Sequence, residues 1–224
     1  MASPLVERLR LLRQQLPPAV QLLAVSKGQP AAQIRELYGE GQRSFGENRL
    51  QEAQAKQAEL QDLPDLDWHF IGRIQANKVR PLLACFSTFH GVDGAALAER
   101  ISRIALEGGH GPRLYAQVKL LPDPTKTGFD PQELRRLWPQ LRTLPALNWL
   151  GVMVMPPFGL EAQLLTALFE QACQLGTELG LPGRSMGMSG DWPLAVASGS
   201  TLVRIGGGLF GQAQNPDKIP ATCD

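Results

Sequence analysis

Apolar and β-branched residues in this chain fall into short runs separated by stretches of helical period. The runs are QLLAVS (21–26), RSFG (43–46), DWHFIG (67–72), FSTFHGV (86–92), LYAQVKL (114–120), NWLGVMVM (148–155), SMGMS (185–189) and TLVRIGG (201–207). Runs of this length, bounded by turn residues, predict buried strands, with helices between them. Asp130-Pro131-Gln132-Glu133 predicts a helix start, with Asp as N-cap, Pro at the first helical position and Glu completing a capping box. Leu134, Leu137, Trp138 and Leu141 supply its apolar stripe. Leu164, Leu168, Ala172, Leu175 and Leu179 form a second stripe, closed by Gly180. One further helix, over about residues 4–16, precedes the first strand.

Strands alternating with helices predict right-handed βαβ units and a parallel sheet. Eight units in about 200 residues match the lower size limit of a (β/α)8 barrel. A doubly wound open sheet is the alternative. Its Gly-rich fingerprint is missing after the first strand, where Ser26-Lys27-Gly28-Gln29-Pro30 holds one glycine. The expectation is therefore an α/β fold, a single (β/α)8 TIM-type barrel domain over residues 1–224 with an extra N-terminal helix.

Composition narrows the class. The 224 residues carry 22 Lys plus Arg against 21 Asp plus Glu, a net charge of +1. That balance excludes an electrostatic nucleic-acid binder or a polybasic membrane-surface protein as the default. Cys85, Cys173 and Cys223 are odd in number and lack any CxxC spacing. This argues against a disulfide framework and a zinc site, and fits a reducing cytosol. The start, MASPLVERLRLLRQQ, lacks the apolar stretch of a signal peptide. The longest uncharged stretch, Thr143 to Leu160, holds Pro145, Pro156 and Pro157 and cannot be a membrane span. A cytoplasmic protein with no membrane partner is expected.

In a barrel the active site lies at the carboxyl ends of the strands, so the residues closing each run carry the chemistry. Lys27 follows the apolar run Leu22 to Val25. A partly desolvated amine there would have a lowered pKa and attack carbonyls readily; the alternative is a strand-end lysine reaching solvent. Arg204 to Gly208 offers glycine backbone N–H groups to an anion after strand eight, and Ser189 a hydroxyl after strand seven. The bland reading is a Gly-rich turn with no ligand. A Schiff-base lysine facing a phosphate cradle is, however, the pair of features that pyridoxal 5′-phosphate requires. His69, between Trp68 and Phe70, reads as a packed histidine, and Asp191 as a cap for the next helix. Glu47 and Asn48 are placed at the start of the helix bearing Leu50 and Ala53, Met153 and Met155 in the core, and Lys78 and Arg80 in solvent.

The segments AVSK (24–27), FGENRLQE (45–52), WHFIGRIQANK (68–78) and SMGMSGDWPLAVASGSTLVRIGGGLFG (185–211) together resemble the YggS/PROSC-type pyridoxal phosphate homeostasis family. The likeness runs from about residue 5 to 212. It implies a pyridoxal-phosphate barrel of the alanine racemase N-terminal-domain (fold-type III) kind, with Lys27 holding the cofactor covalently as an internal aldimine. It further implies Ser189, Gly206 and Gly207 at the phosphate, Arg204 at the pyridine nitrogen and Asn48 lining the pocket. No metal and no catalytic residue are implied. One stretch departs from the pattern. Relatives show a VNxxxExxKxG-like arrangement, whereas this chain reads QVKLLPDPTKTGF (117–129), with Pro122 and Pro124 stiffening the loop and Lys126-x-Gly128 retained. That wording is similar to a cyanobacterial, PipY-like branch.

Two absences bear on catalysis. An arginine cannot take a proton from the pyridine nitrogen, so Arg204 there favours holding the cofactor over draining electrons into it. Racemases of this barrel type also use a C-terminal β-domain and a tyrosine as second base. This chain ends 13 residues beyond Gly211 (224 minus 211), and neither Tyr38 nor Tyr115 stands at the carboxyl end of a predicted strand. The expectation is a monomeric, non-enzymatic carrier serving pyridoxal phosphate homeostasis, with apoenzymes or a regulatory protein as possible partners. The alternatives are a fold-type III racemase or decarboxylase acting on a small amino acid, and a cofactor-free aldolase using Lys27.

Overall fold

The computed structural model of this chain describes residues 2–121, 127–157 and 159–211. Eight strands occur in chain order: β1 (Gln21–Val25), β2 (Ser44–Glu47), β3 (Asp67–Phe70), β4 (Thr88–Val92), β5 (Arg113–Val118), β6 (Asn148–Val154), β7 (Gly183–Ser185) and β8 (Leu202–Ile205). All pair in parallel with their chain neighbours, and β8 returns to β1 with Gln21 opposite Leu202 and Ala24 opposite Ile205. The sheet is thus a closed barrel, as expected. The helices α1 (Pro4–Gln15), α2 (Ala31–Gly39), α3 (Leu50–Glu59), α4 (Val79–Cys85) and α5 (Ala95–Gly108) belong to its first half. Its second half carries α6 (Pro131–Leu141), α7 (Ala162–Glu178), α8 (Trp192–Ala197) and α9 (Gly207–Phe210).

Local chemistry sets the helix ends. Ser3 caps α1 by accepting from the Val6 amide at 3.2 Å, with Pro4 next. Leu5, Val6 and Leu9 of α1 are buried, and Arg8 donates to the Leu209 and Phe210 carbonyls of α9. The extra helix therefore ties the start of the chain to the last turn of the barrel. Asp130 accepts from Gln132 and Glu133 amides at 2.8 and 3.1 Å, satisfying two donors that α6 itself cannot. Asp130→Ala is expected to lower the unfolding free energy by about 1 kcal/mol, read as a shifted urea midpoint at constant slope.

Three predicted boundaries move. The run SMGMS predicts a strand over 185–189, but β7 is Gly183–Ser185, and Gly187, at φ +95°, turns the chain out of extended geometry. Ser189 consequently stands on a loop. Glu47, expected at a helix start, closes β2 and is fully buried, while α3 begins at Leu50 behind Arg49. Met155, expected in the core, is 41% exposed because β6 stops at Val154, whereas Met153 is buried. Pro122, Pro124, Lys126 and Cys223 lie outside the described residues.

Candidate active site

A cavity of about 470 Å³ opens at the carboxyl ends of the strands. Its wall contains all six residues singled out in the sequence, Lys27, Asn48, Ser189, Arg204, Gly206 and Gly207. They come from β1, β2, β7 and β8 and the loops that follow, which the barrel closure brings together. Val25, Ile71, Met153 and Met188 give the wall its apolar part, and Gln117, Thr127 and His90 add polar groups.

Lys27 stands two residues beyond the end of β1, in a turn closed by the Gln29 amide on the Ser26 carbonyl at 2.9 Å. Gly28 takes φ +72°, the backbone that a type II turn demands of its third residue. Lys27 is exposed, the second of its two readings, so the strand does not bury it. What the fold provides is a fixed turn. Lys56, on α3, donates to the Ser26 carbonyl at 2.8 Å and to Glu47 and Glu52 at 2.7 and 2.6 Å. Glu47 also accepts from the Ser26 hydroxyl, and Glu52 accepts from the Gly28 amide. The segment bearing Lys27 is therefore held on both sides by one ion-pair network, buried at Lys56 and Glu47 and partly open at Glu52. Burial pushes the Glu47 carboxyl up, against the pull of Lys56 and Ser26. Glu52 goes the other way, because Lys56 and the Gly28 amide outweigh its partial burial.

Asn48, directly after β2, does not cap α3, since Arg49 takes that place. It is half-buried and faces the cavity. On the opposite side, the Ser189 hydroxyl accepts from the Gly208 amide at 3.0 Å, holding the two loops together. A Cβ on Gly207 would meet nothing within 4 Å, so its backbone borders open space. Arg204 is 6% exposed and donates to the Ser185 carbonyl and hydroxyl at 2.6 and 2.7 Å and to the Val154 carbonyl at 3.0 Å. Burial lowers its pKa to about 10, partly opposed by Asp191 and Tyr115, and it remains a cation at neutral pH. Asp191 occupies the N-cap position of α8, yet its side chain accepts from the Met188 amide and shapes the loop before the helix.

The chain matches the alanine racemase N-terminal domain family over residues 3–214. It is 42% identical to the pyridoxal phosphate homeostasis protein of Synechocystis over 207 residues, covering 88% of this chain and 93% of that protein. The chain belongs to the pyridoxal phosphate homeostasis protein family. The family member from Pseudomonas aeruginosa is 44% identical over 197 residues, covering 87% of this chain and 85% of that protein. Among solved structures, PipY of Synechococcus elongatus with pyridoxal phosphate bound superimposes with a TM-score of 0.89 at 55% identity. That match covers 92% of this chain and all of PipY. Alanine racemase from Corynebacterium glutamicum, 18% identical with a TM-score of 0.71, shares the barrel; the match takes in 59% of the racemase and 92% of this chain.

Several residues of the site carry no local sequence signal. His90, Gln117 and Thr127 line the cavity, and the Gln117 amide donates to the Thr127 carbonyl at 2.6 Å. Gln117 belongs to the stretch that departs from the family pattern, so the departure reaches the wall itself. Lys56 carried no signal beyond its scarcity, as one of six lysines. His69, read as packed and hydrogen-bonded, is so: it is 3% exposed and bonded to His90 and Asp67. No helix among the described residues is long and apolar enough to cross a membrane.

Proposed function

We propose that this protein binds pyridoxal 5′-phosphate in the strand-end cavity, covalently through Lys27, and holds it for homeostasis without turning over a substrate. The observation that carries this reading is the convergence of an amine, a buried guanidinium and a glycine turn on one cavity of small-molecule size. The residues fit the cofactor. Lys27 would take the aldehyde; the Gly206–Gly207 backbone, open at Gly207, with Ser189 would hold the phosphate; Arg204 would meet the pyridine nitrogen, and Asn48 the ring side. When bound, the cofactor supplies an electrophilic aldehyde carbon and a ring that withdraws electrons best once its nitrogen is protonated. Arg204 only donates, so it would keep its proton at that position and would not protonate the nitrogen. Tyr115 is buried within the barrel, stacked on His90 with centroids 4.6 Å apart, and is not part of the cavity wall.

Purified protein loaded with pyridoxal phosphate is expected to absorb in the violet, and borohydride is expected to fix the cofactor's mass on Lys27. Absence of both sinks the reading. With single L-amino acids, chirality and turnover should stay at the level of free cofactor; steady conversion above it would make the protein a racemase-like enzyme. Ser189→Ala should weaken cofactor binding by about tenfold, the loss of one hydrogen bond to a charged oxygen, measured by equilibrium titration. The same reading includes a monomer, checked by light scattering, and release of the cofactor to apoenzymes or a regulatory protein, checked by activation of an apoenzyme in excess.

A further inference from the structure

Polar side chains run through the middle of the barrel. His90 on β4 bonds Ser185 on β7 at 2.8 Å through Nδ1, although β4 and β7 are not neighbours in the sheet. The bond must therefore cross the interior, where barrels ordinarily stack branched apolar residues. From Ser185 the line continues to Arg204 Nη1 at 2.7 Å. On its other side His90 Nε2 meets His69 Nδ1 at 2.9 Å, and His69 Nε2 meets Asp67 at 3.0 Å. Ser87 and Arg113 donate to the second oxygen of Asp67. Ser185 and His90 have no exposed surface.

The two ends fix the direction of every bond. An arginine has no acceptor and a carboxylate has no donor. Arg204 donates to the Ser185 oxygen, whose proton then points to His90 Nδ1. His90 donates from Nε2 to His69 Nδ1, and His69 donates from Nε2 to Asp67. We propose that Ser185, His90, His69 and Asp67 form one directional relay that holds both histidines as neutral Nε2–H tautomers and positions Arg204 at the cavity. No carboxylate pairs directly with Arg204 among the described residues, so aligned dipoles link its charge to that of Asp67. Burial above all, with the cations Arg204 and Arg113, holds His90 well below the usual histidine range, in keeping with a neutral ring. The reverse direction would need two protons on His69 and would leave the buried Ser185 proton without an acceptor.

The role assigned to Arg204 rests on the pyridoxal phosphate reading, whereas the relay itself is tested without cofactor. Nitrogen-15 NMR of ligand-free protein should show both buried histidines with a protonated Nε2 and a bare Nδ1 at pH 7. A proton on Nδ1 of either ring, or a doubly protonated His69, overturns the relay. Ser185→Ala severs it beside Arg204, and His90 should then lose its fixed tautomer. In the same variant pyridoxal phosphate should bind about tenfold more weakly and its absorption band should shift, while attachment at Lys27 persists. Unchanged affinity and spectrum overturn the positioning role. Asp67→Asn removes the anion at the far end and should move the histidine signals without touching the cavity; unmoved signals overturn the relay as well. If wild type binds no pyridoxal phosphate, the functional reading and the positioning role fail, and the histidine spectra still decide the relay.

Discussion

Lys27→Ala is expected to abolish the violet absorption band and the borohydride-fixed mass completely while leaving the barrel folded. Alanine offers no amine, so no imine can form, and what remains is the polar grip of the glycine turn, Ser189 and Arg204. Binding should become readily reversible on dialysis. The fold should not notice, because Lys27 is exposed and its segment is fixed by backbone and neighbouring side chains rather than by its own contacts. Exposed substitutions of this kind change stability by about 0.5 kcal/mol or less. Thermal unfolding of the ligand-free variant should accordingly match wild type. Global unfolding would mean that the lysine serves the fold, and a retained covalent mass would place the attachment elsewhere.

The elements were legible because β-branched and apolar runs are a local signal. Each of the eight runs contains or overlaps a strand, and Asp130 and Gly180 mark helix ends through chemistry confined to a few residues. The site residues were legible for a related reason, since strand ends of a barrel converge whatever the loop lengths. What stayed hidden are contacts between residues distant in sequence. His90 lies inside the apolar run FSTFHGV, and its partner Ser185 is 95 residues away. Nothing in either segment announces that their strands face each other across the barrel. Glu47 beside Asn48 looked like the acidic start of a helix, whereas its burial depends on an amine nine residues further on, at Lys56. Position alone leaves Lys27 open between a desolvated amine and one reaching solvent; the chain leaves the strand at Val25 and turns at Gly28, which decides for the exposed side chain.

Lys56→Ala is expected to have the largest effect on stability, and to have it with an unusual pH dependence. Lys56 is 5% exposed and holds together the fully buried Glu47, Glu52 and the Ser26 carbonyl. Removing one partner of a buried ion pair strands the other charge, at a cost of about 3–5 kcal/mol. Glu47 is that stranded charge: one of its oxygens, Oε2, has no hydrogen-bond partner even in the wild type, and Oε1 would keep only the Ser26 hydroxyl. Its folded pKa is already above the usual carboxylate value because of burial, and loss of the lysine removes the first of the effects opposing that rise. A carboxyl whose folded pKa exceeds its unfolded one binds more protons in the native state, so stability falls as pH rises between the two values. The variant should therefore recover part of its loss as the pH is lowered from 7 toward the ordinary Glu range, where Glu47 becomes neutral in the fold. Below that range the contribution is constant, and other carboxylates dominate acid unfolding. Urea unfolding of wild type and variant at a series of pH values tests this. The deficit should be greatest at neutral pH and shrink on acidification; a deficit independent of pH would show that packing, not the stranded Glu47 charge, is what Lys56 supplies. The same variant frees the Ser26 carbonyl and loosens Glu52 on the Gly28 amide, so the turn presenting Lys27 should lose its fixed geometry. Pyridoxal phosphate should then attach more slowly at Lys27 than in wild type, measured as the rate of appearance of the violet band under conditions where both proteins are folded.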